Sequence, residues 1–500
     1  MGFLFCQHAL LLALLSCSLL ALAIRGGPAT SMPPVRLAVS HIFDAHSPLR
    51  PAGCDDDCAS RLRMKRIGEA REARRRIYEA AGRAYAASGR TSLHSNESVV
   101  ANATSTGSRL DSIPWGEVNT GFFSNGQVSE YYVELSIGST SQPVLMSIDT
   151  GSDLAWVQCQ PCEQCYDQSL PIFDPNQSPG FVKTNDQDSY CNAVQAIETI
   201  GGGADDSLCL YQSGFADGTS TFGYIAKDQF NFWDAGAGSG GVTVSVPGLG
   251  FGCGTKNTYG VQTVVSGVLG LGFGRSLSMG EQFLALYGVS PAFAFCFAPI
   301  FSDPNSGWLM FGDAAIPPPD YPSTPLLEDE GFSVYFYVEL VDFVIGDQRV
   351  GLPADIFAID PDDQTGGVIV DAGDIVSIIT TDAYAPFRAA WINAVIDILG
   401  EPGAPGPDGL DTCWDYPNVV AVPSIGFLFS NGNLLPLSPA ATQLIFIDDN
   451  NVRRMCWPFL EKSEESSTFA SMVIGAVSLH STEVVFDTEN NVFAWNSRQC

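Results

Sequence analysis

Five hundred residues, 45% of them hydrophobic and only 16% charged, exclude a disordered chain and leave room for two sizeable lobes. The charge is strongly asymmetric: residues 36–90 carry 12 Lys or Arg against 7 Asp or Glu, whereas residues from 112 onward carry 10 against 46. So acidic a body argues against a nucleic-acid partner, despite the basic stretch ahead of it.

In chain order, the first element is an apolar run from Ala9 to Ala23 that ends in the small-x-small pattern Ala21-Leu22-Ala23. It reads as a signal peptide over residues 1–23, too short for a membrane span, so export without a membrane anchor is expected. The expected destination is extracellular (the apoplast), with the vacuole as the alternative. Residues 24–110 are poor in large apolar side chains, helix-prone around 61–85 and then rich in Ser, Thr and Asn. They read as a basic propeptide and flexible cleavage region, docked on the acidic body by charge and loosened when acid protonates that body. Asn96, Asn102 and Asn176 each open an N-glycosylation sequon.

From about residue 112 the texture changes to short β-rich runs with Gly-containing turns, such as YYVELSIG (131–138), GVLGLGFG (267–274) and MVIGAV (472–477). Helical periodicity is confined to 279–287 and 382–399, and residues 201–206, 236–241 and 402–409 read as exposed loops. The fold class is all-β.

An internal repeat divides this body into lobes over 111–325 and 326–500. Tyr132-Val133-Glu134-Leu135 recurs as Tyr337-Val338-Glu339-Leu340. Each is followed by an apolar strand that delivers an Asp into a small-residue turn, Asp149-Thr150-Gly151-Ser152 and Asp371-Ala372-Gly373-Asp374. Each turn is followed by an apolar-apolar-Gly element, Val268-Leu269-Gly270 and Val473-Ile474-Gly475. Lobes related by a pseudo-twofold axis would bring Asp149 and Asp371 face to face. Two such carboxyls cannot both ionise easily, so they hold one proton between them and can activate a water against an amide. The bland alternative is that both Asp only cap turns.

Of fourteen Cys, ten lie in the body, an even number suited to five disulfides in an oxidising compartment. The run C-Q-P-C-E-Q-C (159–165) lacks a nearby His for a metal, since the closest are His94 and His480. The five His show no metal-ligand or triad spacing, and His480 reads as a surface residue. No metal or cofactor is expected.

The body from about 128 to 500 resembles the pepsin-like aspartic proteases, particularly the plant nepenthesin-like group. The resemblance is carried by D-T-G-S at 149–152 with Trp156, C-Q-P-C-E-Q-C, F-G-C-G (251–254), G-V-L-G-L-G (267–272), G-L-D-T-C-W (409–414) and the ending at Cys500. The propeptide stretch SHIFDAHSPLRP (40–51) is similar too. It implies a bilobal fold with a cleft between the lobes, Asp149 and Asp371 as catalytic pair, a peptide or protein substrate, a self-blocking propeptide and a monomer. It also implies the disulfides Cys159–Cys162, Cys165–Cys253, Cys191–Cys209, Cys296–Cys500 and Cys413–Cys456.

Three departures from the group's pattern cluster at the chemistry. The flap motif reads Phe215-Ala216-Asp217-Gly218-Thr219 where the group has Tyr first, so the ring over the substrate lacks the hydroxyl that bonds the indole matching Trp156. Ala372 replaces a hydroxyl residue that braces the two Asp turns. Asp374 stands where Ser or Thr donates to the catalytic carboxyl, as Ser152 does in the first turn. Two functions follow from the residues: an acid-range endopeptidase with a shifted pH window, or a catalytically impaired binding protein resembling the xylanase inhibitors.

Overall fold

In the computed structural model the chain divides into two units, residues 1–95 and 96–500. The structure describes residues 113–120 and 130–497, apart from 186, 192–207, 235–241, 261–262, 274–276, 300–306, 328–333, 361–364, 407–408, 416–419, 448–452 and 463–468. The signal peptide, the propeptide, Cys54, Cys58, Asn96, Asn102, Cys500 and the expected loops 201–206 and 236–241 lie outside the described residues.

The first lobe is built from β1 (Tyr131–Ile137), β2 (Gln142–Asp149), β3 (Trp156–Gln158), β4 (Leu210–Gly214), β5 (Ser220–Asp234), β6 (Val242–Thr258) and β7 (Gly267–Gly270). In β1 the side chains of residues 131, 133, 135 and 137 are buried and those between are not, the period of two that a one-sided sheet demands. The second half of β2 is buried on both faces and is a central strand, with β1 antiparallel on one side and β7 parallel on the other, Asp149 paired to Gly270.

The second lobe repeats this arrangement with β8 (Phe336–Val338), β9 (Val368–Val370), β10 (Ser377–Ile379) and β11 (Met472–Ile474). Here β8 pairs antiparallel with β9, and β9 pairs parallel with β11, Val370 opposite Ile474. The three landmarks of the sequence repeat are therefore adjacent strands in each lobe, and each Asp lies where its central strand runs out. Helices form at Met279–Tyr287 and Thr381–Leu399, where the sequence periodicity puts them.

Antiparallel pairing of Phe293–Cys296 with Glu483–Asp487 joins the lobes, with Phe293 stacked on Phe486 at 4.8 Å. Outer strands Ile113–Thr120, Gly307–Phe311, Val492–Asn496 and Ser323–Leu327 extend this platform to six strands. A continuous aromatic core backs it, so the two Asp turns sit on a rigid base.

The cysteines correct one expectation. Cys159 pairs with Cys253 and Cys162 with Cys165, at Cα separations of 5.3 and 6.1 Å, in place of Cys159–Cys162 and Cys165–Cys253. The reason is strand register. β3 runs parallel to β6 with Val157 opposite Cys253, and the Cys159 N–H donates to the Gly254 carbonyl at 2.8 Å. That holds Cys159 against Cys253 in the core, and the spacing C-x-x-C is met equally well by the outer pair. Cys191–Cys209 and Cys413–Cys456 form at Cα separations of 5.6 and 4.0 Å, and Cys296 is also disulfide-bonded.

His480 is a second correction: it is 1% exposed, not a surface residue. Its Nε2 meets the Tyr131 hydroxyl, which also donates to the Ala298 carbonyl at 2.9 Å. Burial pulls the imidazole down to about 3, so it stays neutral in the core.

Candidate active site

The two Asp turns face each other at the ends of β2 and β9. The Gly151 N–H donates to Asp149 Oδ1 at 2.8 Å and the Gly373 N–H to Asp371 Oδ1 at 2.9 Å. Beneath the turns the backbone is also symmetric: the Gly272 N–H donates to the Ser152 carbonyl at 2.7 Å, and the Ala476 N–H to the Asp374 carbonyl at 2.7 Å. Both turn glycines are required by proximity. A Cβ on Gly151 would collide with the Asp371 carboxyl, and one on Gly373 would stand 2.6 Å from Asp149 Oδ1. Each turn thus presses against the other turn's carboxyl.

Asp149 is buried, and Asp371 lies close enough to share its proton. Burial raises both carboxyls. For Asp149 the Ser152 hydroxyl and the Gly151 N–H oppose the rise. For Asp371 the neighbouring charges of Asp149 and Asp374 add to it, and it is raised well above its ordinary value. Asp149 accepts from the Gly151 N–H and the Ser152 hydroxyl where Asp371 accepts from the Gly373 N–H, so the donors favour charge on Asp149 within a pair that holds one proton in common.

The departures seen in sequence have physical consequences. Thr150 Oγ1 donates to the Val370 carbonyl at 3.0 Å and accepts from the Ala372 N–H at 2.8 Å, bracing one turn against the other. Ala372 is buried but has no hydroxyl to return the contact, so the brace runs one way. Asp374 is raised to about 6 by burial and by the charges of Asp149 and Asp217, and so is neutral in acid.

Over the turns stands the hairpin β4–β5. Its tip is closed by the Phe215 N–H donating to the Thr219 carbonyl at 2.8 Å and by Gly218 at φ +87°. Asp217 caps this turn, accepting from the Thr219 N–H and hydroxyl at 2.8 and 2.7 Å. The Phe215 ring lies 6.4 Å from Trp156, and the Trp156 Nε1–H is buried without a partner among the described residues. A buried unpaired donor costs about 1–3 kcal/mol. Phe215→Tyr is therefore expected to raise stability by about 1 kcal/mol and slow amide exchange at the hairpin tip. Urea unfolding and hydrogen exchange check this, and an unchanged midpoint would mean that the hydroxyl does not reach the indole.

Two residues at this site escaped the sequence reading. Glu130 accepts from the Tyr259 hydroxyl at 2.6 Å just ahead of β1, and Tyr335, just ahead of β8, lies within the field of Asp371, Asp149 and Asp374. Their signal was present: each lies two residues before the repeated Tyr132 or Tyr337. Asn176, by contrast, is exposed on a short turn remote in sequence from both Asp, its Nδ2 donating to Asp174 Oδ1 at 3.1 Å.

Two β lobes that each deliver an Asp turn into one site define a pepsin-like aspartic protease frame. Residues 131–313 match the family described as xylanase inhibitor N-terminal, and residues 335–497 the one described as xylanase inhibitor C-terminal. Aspartic proteinase nepenthesin-1 of Nepenthes gracilis is 30% identical, over 74% of this chain and 78% of that protein. The ASPARTIC PROTEASE IN GUARD CELL 2 protein of Arabidopsis thaliana is 31% identical, over 74% and 73%. The chain belongs to the nepenthesin-like plant aspartic protease family. Among solved structures, edgp shares the fold at a TM-score of 0.62 and 18% identity, covering 79% of this chain and 96% of that one. Basic 7S globulin from soybean does so at 0.57 and 17%, covering 77% and 97%.

Proposed function

We propose that this protein is a secreted aspartic endopeptidase that hydrolyses peptide bonds in acid. The observation that carries the reading is the opposed carboxyl pair, with Asp371 raised well above its ordinary value and Asp149 held by Ser152 and Gly151. In the proposed reaction Asp149 takes a proton from a water held between the carboxyls as that oxygen bonds to the amide carbon. Asp371 gives its proton to the carbonyl oxygen. The tetrahedral intermediate then collapses: Asp149 passes its proton to the leaving nitrogen, the C–N bond breaks, and one of the two hydroxyls returns its proton to Asp371 as the carboxylic acid forms. No covalent enzyme intermediate forms. Export through residues 1–23, a blocking propeptide over 24–110, glycosylation at Asn176 and a monomeric state belong to the same proposal.

The test is to acidify the purified protein, verify loss of the propeptide, and incubate it with denatured proteins from pH 3 to 6. New peptides are expected by mass spectrometry. Their absence after verified removal overturns the reading.

Asp374 favours a second reading, a binding protein on a protease frame, because it sets a third carboxyl beside the pair. Asp374→Thr separates the two. In an active enzyme, removing this like charge is expected to move the alkaline limb of the rate profile down by about one pH unit. In an impaired one, the substitution starts cleavage that the wild type lacks. An unmoved profile would deny Asp374 any influence on the pair.

A further inference from the structure

The tip of the flap leans on a segment outside its own hairpin. The Gly260 N–H donates to Thr219 Oγ1 at 2.9 Å, and that hydroxyl donates in turn to Asp217 Oδ2. The approach is backbone against backbone, since a Cβ on Gly260 would stand 2.0 Å from the Asp217 carbonyl oxygen. Gly260 is thus a seat for the turn 215–219.

This seat lies in the connection from β6 to β7, and the connection is tied to a single carboxyl. The Tyr259 hydroxyl donates to Glu130 Oε2 at 2.6 Å and the Thr263 hydroxyl to Glu130 Oε1. Tyr259 and Thr263 bracket Gly260 in the chain, so the two bonds fix the segment on both sides of the seat. Ring packing agrees: Tyr259 stands 5.0 Å from Tyr166, and both pack with Phe215 against the cluster that contains Trp156. Glu130 immediately precedes β1, the strand paired with β2, and Ser147 of β2 brings a third hydroxyl to its carboxyl. Burial raises that carboxyl, the three hydroxyls oppose the rise, and the charge of Asp217 adds to it. The charge of Asp217 also reaches Asp149 and Asp374, as expected of a tip that stands over the reacting carboxyls. An apolar side chain in place of Glu130 would leave these hydroxyls without their acceptor.

We propose that Glu130 is a positioning residue for the flap: by holding Tyr259 and Thr263 it fixes Gly260, and Gly260 seats the flap tip over the cleft. The inference deepens the peptidase reading, because a seated flap is what closes the cleft on a peptide. This flap has particular need of a seat, since Phe215 brings no hydroxyl to Trp156.

The test is hydrogen exchange of the amides of residues 215–219 at pH 4 in Tyr259→Phe and Glu130→Ala, with peptide cleavage measured alongside. Tyr259→Phe removes one oxygen from a half-buried ring and leaves its packing on Tyr166 in place. Tip exchange is expected to speed up about fivefold in Tyr259→Phe, the scale of one hydrogen bond, and further in Glu130→Ala. Exchange in β9 and β11 of the second lobe is expected to keep the wild-type rate, which a general loss of stability would not allow. Glu130→Gln supplies the rescue: its amide can meet hydroxyls that either donate or accept, so tip exchange is expected within about twofold of wild type. In cleavage, KM is expected to rise about fivefold with kcat held, because the flap covers the peptide before and during the reaction alike. Tip exchange unchanged in both Tyr259→Phe and Glu130→Ala overturns the proposal. So does acceleration shared by the second lobe, or a Glu130→Gln as loose as Glu130→Ala. A wild type that cleaves nothing defeats the peptidase reading alone, because the exchange measurement needs no substrate.

Discussion

Asp149→Asn is expected to lower peptide cleavage at pH 4 by at least about 10³-fold, the scale of a lost general base. Asn keeps the shape of the side chain: its Oδ1 can accept from the Gly151 N–H while its Nδ2 donates to the Ser152 hydroxyl oxygen. What it removes is the negative oxygen that takes the proton from water. Because burial disfavours that charge, the variant is expected to be no less stable than the wild type at neutral pH, which separates lost chemistry from lost folding. Initial rates on a quenched fluorescent peptide and urea unfolding of the same samples check both parts. Retention of more than a tenth of the activity would remove Asp149 from the mechanism.

Folding stability is expected to be greatest near pH 4 and to fall toward neutrality. The carboxyls of Asp149, Asp371, Asp374, Glu130 and Asp487 are all raised in the folded protein, with burial the largest cause. A group bound more tightly to its proton when folded stabilises fully below its unfolded value. That contribution is lost as pH rises through the folded value. For Asp374, from 3.8 to about 6, this is worth about 3 kcal/mol lost between those limits. His480 acts in the opposite direction. Pulled down from 6.5 to about 3, it makes stability fall as pH drops through that window, and so sets the acid edge. Five raised carboxyls against one depressed imidazole leave the balance on the acid side. Urea midpoints at pH 4, 5.5 and 7 measure it, and a midpoint that rises with pH would refute the expected order.

The site was legible in the sequence to the extent that symmetry repeats it. Two Asp turns, each followed by an apolar-apolar-Gly element, needed only sequence order to be recognised, and β2–β7 and β9–β11 are those same elements paired. Local periodicity sufficed for the helix Thr381–Leu399. What failed depended on register or on distant partners. Cys159 and Cys162 satisfy a local spacing, but the parallel pairing of β3 with β6 gives Cys159 to Cys253. His480 looked like a polar surface residue because its partner Tyr131 lies 349 residues away. Tyr335 went unseen because its closeness to Asp371, Asp149 and Asp374 exists only in the folded chain. The departures at Phe215, Ala372 and Asp374 were visible by residue type. Their effects, an indole N–H without a partner among the described residues and a one-way brace, needed the geometry.

Titration of cleavage with a statine-containing transition-state mimic at pH 4 tests the central claim, that Asp149 and Asp371 together form the reacting centre. One equivalent per chain is expected to abolish cleavage, and Asp149→Asn and Asp371→Asn are each expected to lower it by at least about 10³-fold. Cleavage that continues under stoichiometric mimic, or that stays above a tenth of the wild-type rate in either variant, would contradict the account.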